Sequence, residues 1–177
     1  MQTLLAQYEN FPETIHGVAR FAYRSSIRKV EQTIFCALHQ LNMETHSLND
    51  ITPFPSSKCE ISFEFGVAEG VTFNYLGSEE LEKFQKTTGQ KALPMLDFFC
   101  VVRYHIVREE KRIPLKFDYN FLRFIFYENE MELRVSHERG TQRISTEELI
   151  AFITKRINEE LLRKQLKPLD LKYSRAL

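Results

Sequence analysis

The stretch from Ser136 to Arg143 gathers several chemically active groups in a short span of sequence. One imidazole, one carboxylate and two guanidinium groups are carried there by His137, Glu138, Arg139 and Arg143. A helix is predicted to begin directly after them, and the free amides and dipole of a helix N-terminus favour an anion. A phosphate or carboxylate would suit such a loop, so an enzyme acting on a small anionic substrate is one hypothesis.

The same stretch has a simpler interpretation as a connection between a β-hairpin and a helix. Gly140 permits a turn, and Glu138 can pair with a neighbouring arginine. Glu147 and Glu148 lie in the predicted first turn of the helix and would repel an anion. We therefore expect the loop to act mainly as a joint, and the enzyme is the weakest of three hypotheses.

A second group of polar residues lies on one face of a predicted sheet. Alternation along residues 97–107, 122–127 and 131–136 places them opposite the apolar side. They are Arg103, His105, Arg123, Tyr127, Glu132 and Arg134. A buried charge without a partner costs several kcal/mol, so this face must be solvated, ion-paired or docked on something charged.

Three uses of this face are open: a plain solvated surface, a protein or self-association surface, and a surface for single-stranded nucleic acid. Phe99, Phe121 and Tyr127 could stack bases while arginines hold phosphates. The acidic residues Glu64 and Glu132 on the same face would repel a nucleic-acid backbone. Mixed charge with aromatics favours a protein partner or a second copy of the chain.

We predict a binding surface formed by this face and its rim at the loop. Its residues are Arg103, His105, Arg123, Tyr127, Arg134, His137, Arg139 and Arg143. We expect His105 and His137 to lie on neighbouring strands, where a metal or proton-transfer site is conceivable, but no ligand spacing supports one. Hydrogen-bonded structural histidines are the simpler interpretation, and no catalytic residue or metal site is predicted.

The familiar signatures of catalysis and cofactor binding are missing from the sequence. Its six glycines form no phosphate-binding loop, and there is no nucleophile elbow, His-Glu-x-x-His or Cys-x-x-Cys motif. We therefore predict a binding module rather than an enzyme, with no cofactor.

Hydrophobic periodicity predicts the elements that position these residues. Strand patterns cover 16–24, 59–65, 71–75 and 97–107, and helical patterns follow Ser26, Gly77 and Ser145. The first six elements have the order βαββαβ, which is the order of a ferredoxin-like fold. A hairpin over residues 122–135 comes next, and Asn129 in its turn can take the left-handed conformation that the turn needs. The C-terminal helix follows, with a predicted capping box between Ser145 and Glu148. The sequence thus predicts an α+β fold with an antiparallel-rich sheet of about six strands and the helices on one face.

A single domain is predicted for residues 1–167. Residues 168–177 alternate apolar and polar side chains and are predicted to form an extended arm, packed on this chain or on a partner. Residues 44–57 are predicted to be a loop, and Pro114 restricts its segment to a sheet edge or a bulge.

Composition limits the class of partner and compartment. The 177 residues include 24 basic and 24 acidic side chains, so no net field attracts nucleic acid or an anionic membrane. Three cysteines, odd in number and far apart, indicate reduced thiols in the cytoplasm. The longest apolar run, Phe98 to Val102, is too short to span a membrane. We expect a cytoplasmic protein that binds itself or another protein, with nucleic acid as the alternative and no membrane.

Overall fold

The computed structural model describes residues 4–52 and 58–177 and contains three helices and nine strands in those ranges. In chain order they are β1 (Gly17–Ala22), α1 (Ile27–Leu41), β2 (Thr45–Ser47), β3 (Cys59–Glu69), β4 (Thr72–Tyr75), α2 (Ser78–Gln90), β5 (Met95–Arg108), β6 (Lys111–Pro114), β7 (Asp118–Phe126), β8 (Glu130–Arg139), α3 (Thr146–Arg163) and β9 (Asp170–Ala176). One 3-10 turn, Leu48–Asp50, follows β2. The centre of the predicted 44–57 loop, residues 53–57, lies outside the described residues.

All these strands form one antiparallel sheet in the order β2-β3-β5-β7-β8-β1-β9, with β4 paired to β3 and β6 paired to β5. This confirms the α+β class and the antiparallel sheet. The predicted number of about six strands is too low. β2 and β6 are too short to produce a clear alternation, and β9 was predicted only as an arm outside the domain.

The ferredoxin-like arrangement is not confirmed. That topology would pair β1 within the first βαββαβ unit, whereas β1 lies between β8 and β9 and is antiparallel to both. The prediction used the order of elements along the chain, which favours neighbouring pairs but does not determine which strands lie side by side. Helix α1 carries the chain from β1 to β2 and β3 at the opposite side of the sheet.

The three helices pack on one face of the sheet and share its apolar core. Phe35 of α1 stacks on Phe84 of α2 at 4.8 Å between ring centroids and meets Phe98 of β5 edge-on at 5.4 Å. Phe152 of α3 stacks on Phe63 of β3 at 5.3 Å. One continuous core therefore joins all the layers, as the one-sided alternation indicates.

Local signals at element ends are confirmed. Ser145 accepts a hydrogen bond from the Glu148 amide, and the Glu148 side chain accepts one from the Ser145 amide, which completes the predicted capping box. Asn129, in the turn between β7 and β8, has the positive φ of 64° that this turn was expected to need. The C-terminal arm is β9, and it pairs with β1 of the same chain.

Candidate functional site

The sheet face opposite the helices carries the predicted arginines, and the N-terminal segment of the chain, residues 4–12, covers its centre. The Asp97 amide donates to the carbonyl of Ala6 at 2.6 Å, and the Tyr8 amide donates to the Asp97 carboxylate at 2.7 Å. Isolated β-bridges tie the same segment to Glu69 and Gly70. A stretch of this face, which the sequence predicted to be solvated, ion-paired or docked on something charged, is thus occupied by the chain itself.

Arg123 and Asp97 form the anchor of the N-terminal segment. Two guanidinium nitrogens of Arg123 lie 2.7 and 2.8 Å from the two oxygens of Asp97, whose side chain is fully buried. The guanidinium also lies 4.2 Å above the ring of Phe11 and donates to the carbonyl of Tyr8 at 3.4 Å. The charge of Arg123 is therefore balanced by Asp97, and its guanidinium is covered by the N-terminal segment. Arg123 makes these contacts within its own chain.

A row of aromatic side chains runs from this anchor to one end of the face. We call Phe121, Phe99, Tyr119 and Phe117 the aromatic row; successive ring centroids are 5.2, 5.3 and 4.9 Å apart. Tyr8 stacks on Phe121 at 5.6 Å and covers the inner end. The outer end, Phe117, is 38% exposed. The row therefore leads from a covered region to an accessible one.

Cationic side chains surround the exposed end of the row. We call Arg103, Lys116 and Arg139 the basic rim. Lys116, Phe117 and residues 139–141 line a depression of about 430 Å³. Arg103 lies 5.5 Å from the Phe117 ring. The fold thus brings two of the predicted binding residues, Arg103 and Arg139, to the Phe117 end of the row. Arg143 lies instead 5.8 Å from the ring of Tyr104, which is buried in the core on the helical side of the sheet.

The sequence reasoning missed Lys116 and Phe117. The alternation of Phe121 and Arg123 continues backward through Tyr119 to residue 117, and that continuation was the available signal. Pro114 and the charged segment before it indicate a turn, so the predicted strand begins only at residue 122.

Tyr127 and Arg134 belong to a separate cluster near β1 and β9. Arg134 pairs with Glu132 at 2.9 Å, and Arg20 lies 3.5 Å from Glu132 and 4.7 Å from the Tyr127 ring. Arg134 of β8 is opposite Arg123 of β7, and Arg123 is opposite Asp97 of β5. Asp97 lies six positions along β5 from Arg103. At about 3.3 Å per residue, roughly 20 Å separates this cluster from the basic rim.

His137 belongs to a buried polar cluster at the joint between β8 and α3. Asp118, 2% exposed, accepts from the Tyr104 hydroxyl at 2.5 Å and from the Gln142 amide at 2.8 Å, and His137 Nε2 lies 3.3 Å away. Burial, and then the Asp118 carboxylate, raise the pKa of Tyr104 above its ordinary value. The His137 amide donates to His16 Nδ1 at 2.9 Å. These contacts give His137 and its neighbours a role in fixing the joint.

The first half of the predicted Ser136–Arg143 loop is strand, because β8 continues to Arg139. The expectation that His105 and His137 lie on neighbouring strands is wrong, because β7 separates β5 from β8. His137 of β8 is opposite Asn120 of β7, and Asn120 is opposite Cys100 of β5. Cys100 lies five positions along β5 from His105, and this offset along the strand alone is about 16 Å. Within residues 4–52 and 58–177, no group of three His, Cys, Asp or Glu side chains is placed to hold a metal ion.

A second surface feature is an apolar groove between α3 and β9. Its volume is about 460 Å³, and Phe21, Ile150 and Leu169 lie among its lining residues. Leu162 of α3 and Leu171 of β9 also line it and are each 60% exposed. Among the described residues β9 pairs only with β1, so it is an edge strand with the groove alongside.

No helix in the described part of the chain combines the length and the apolar character needed to cross a membrane. No protein-family model matches the chain, and no curated protein or solved structure is significantly similar to it.

Proposed function

We propose that the chain is a cytoplasmic self-association module in which the β9 edges of two copies pair in antiparallel fashion. The observation that carries the proposal is the pairing of β9 on one side only, directly beside an exposed apolar groove. An edge strand presents unpaired amides and carbonyls that readily accept another strand. The contact would continue one sheet into the next and close a two-fold dimer.

The charges along β9 favour this orientation. Asp170 begins the strand and Arg175 lies near its end. Antiparallel pairing brings the start of one strand to the end of the other, so Asp170 of each copy would approach Arg175 of the other. A parallel arrangement would instead align like charges, including Lys172 with its own copy, which is unfavourable across a sheet.

The groove adds apolar area to the same contact. A two-fold axis perpendicular to the sheet keeps the helices of both copies on one face, so the two α3 helices would flank the new strand pair. Leu162 and Leu171 of each copy would then be shielded from water. Full burial of a leucine side chain is worth about 1.5–3 kcal/mol, so these residues supply a substantial part of the stabilisation.

Size-exclusion chromatography with light scattering tests the proposal. We expect a mass of twice 21.0 kDa for the natural chain at about 0.1 mM and a monomer for Leu162→Glu, because a buried carboxylate without a partner costs several kcal/mol. Val71→Glu is the matched control, since Val71 is 62% exposed and lies in the turn between β3 and β4, far from the groove. A monomeric natural chain, or a dimer that Leu162→Glu leaves intact, would contradict the proposal.

A further inference from the structure

The basic rim differs from the other arginines of the sheet face in the state of its ion pairs. Arg123 and Arg134 are held by Asp97 and Glu132, whose side chains are 0% and 7% exposed. Within the described ranges, Lys116 and Arg139 form no ion pair with a carboxylate. Two cations are therefore available to an anion at this end of the sheet.

Arg103 is available as well, because its ion pair is exposed. Its guanidinium lies 2.7 Å from Glu64, and the two side chains are 46% and 43% exposed. An exposed pair of this kind contributes only about 0.2–1 kcal/mol, so an incoming phosphate can replace the carboxylate. The acidic groups that oppose such a ligand are Glu64 and the exposed Glu138.

Phe117 supplies an aromatic surface among these cations. The ring is partly exposed, and Tyr119 packs against it at a steep angle of 70°, while Arg103 lies over it. A second depression of about 380 Å³ is lined in part by Phe73, Tyr75, Phe99 and Arg103. Arg103 therefore lines one aromatic depression and lies over the ring that lines the other.

This arrangement matches the repeating chemistry of an unpaired nucleic-acid strand. A base can stack on an exposed ring only when it is free of its partner strand, and each such contact is worth about 1–3 kcal/mol. One base beside Phe117 and another in the second depression would place the phosphate between them near Arg103. Lys116 and Arg139 would hold the phosphates that follow. A protein partner would gain no comparable benefit from unpaired cations beside one exposed ring.

We infer that the basic rim and the exposed end of the aromatic row bind single-stranded nucleic acid. The inference is independent of self-association, since Arg103 lies in β5, Lys116 shortly before β7 and Arg139 at the end of β8, whereas the proposed dimer contact lies at β9. A formal net charge of zero gives no long-range attraction, so binding depends on this local patch and weakens with salt.

Fluorescence anisotropy with a dye-labelled RNA of about 12 nucleotides and mixed sequence tests the inference at about 50 and 200 mM salt. We expect Lys116→Ala/Arg139→Ala to lower the affinity at least about tenfold and to reduce the slope of log affinity against log salt by about 1.4. Phe117→Leu should also lower the affinity about tenfold while leaving the salt slope unchanged. The matched control is Lys29→Ala/Lys86→Ala on α1 and α2, which removes the same charge from exposed positions on the helical face.

Competition experiments identify the form of the ligand. We expect an unlabelled single strand to displace the probe, and a duplex of the same sequence or a mononucleotide to displace it much less. Absence of binding at low salt, an equal effect of the control pair, or equal competition by duplex or mononucleotide would each overturn the inference. The monomeric Leu162→Glu variant should bind RNA as the natural chain does, so failure of either proposal can be recognised separately.

Discussion

At the scale of single residues, Glu31 is a buried carboxyl group with a raised pKa. It lies in α1, is fully buried, and accepts a hydrogen bond from the Leu93 amide at 2.8 Å through one oxygen. Its other oxygen has no hydrogen-bond partner in the described part of the chain. Burial raises the pKa of Glu31 from 4.5 to about 8, against the smaller opposing effect of the Leu93 amide. The folded protein therefore holds this side chain mainly in its neutral form at neutral pH.

This raised pKa predicts a loss of stability as the pH rises. Between pH 4.5 and about 8 the folded state binds a proton at Glu31 that the unfolded state has released. The free energy of unfolding therefore falls by up to about 1.4 kcal/mol per pH unit in that window and levels off above it. Glu31→Gln keeps the acceptor for Leu93 without the titration. Urea unfolding at about pH 5, 6.5 and 8 measures the free energy of unfolding of both proteins. From the lowest to the highest pH, the value for the variant should rise relative to that of the natural chain by about 2–4 kcal/mol. Parallel pH profiles for the two proteins would contradict the assignment.

At the scale of elements, the joint between β8 and α3 depends on Gly140. Its φ is 122°, in the region that favours glycine, and a Cβ atom there would lie 2.1 Å from Asp118 Oδ1 and 2.6 Å from the Phe117 carbonyl oxygen. The close approach lets Asp118 accept the Gln142 amide and connects strand to helix.

We expect Gly140→Ala to lower the free energy of unfolding by more than about 2 kcal/mol, because both the backbone conformation and the contact with Asp118 are lost. Gly89→Ala is the matched control. Gly89 lies in α2, and its nearest contact for an added Cβ is an ordinary 3.4 Å from Gln32. There the better helix propensity of alanine should leave stability unchanged or raise it by up to about 1 kcal/mol. Equal losses at the two positions, measured by urea unfolding, would count against the role given to Gly140.

The features that the sequence predicted correctly are local ones. The Ser145 capping box joins residues three positions apart, and the alternation of Leu122, Phe124 and Phe126 depends on neighbours along one strand. Asp97 was predicted only as the start of a strand, because its partners Arg123 and Tyr8 are 26 and 89 positions away. No pattern within one element indicates such a pairing, and the same holds for the strand order. Sequence reasoning named Arg139 but could not bring it together with Lys116 and Phe117, which line the same depression.

At the scale of the whole molecule, the N-terminal segment converts an ion pair on the sheet face into a buried one. Asp97 receives the Tyr8 amide and both nitrogens of Arg123, and Phe11 lies over the guanidinium. Removing one partner of a buried pair typically costs about 3–5 kcal/mol, whereas an exposed pair is worth about 0–1 kcal/mol. The contribution of Arg123 should therefore depend on whether residues 1–12 are present.

A double-mutant cycle measures this dependence. We expect Arg123→Ala to cost about 3–5 kcal/mol in the full chain but no more than about 1 kcal/mol after deletion of residues 1–12, because water then reaches Asp97 in the truncated chain. Arg103→Ala is the matched control, since its pair with Glu64 is already exposed and should cost at most about 1 kcal/mol in both backgrounds. Urea unfolding of the natural chain, the single variants and the combined variants gives the coupling energy. A cost of Arg123→Ala that is the same with and without the segment would show that residues 4–12 rest on the sheet without shielding its central ion pair.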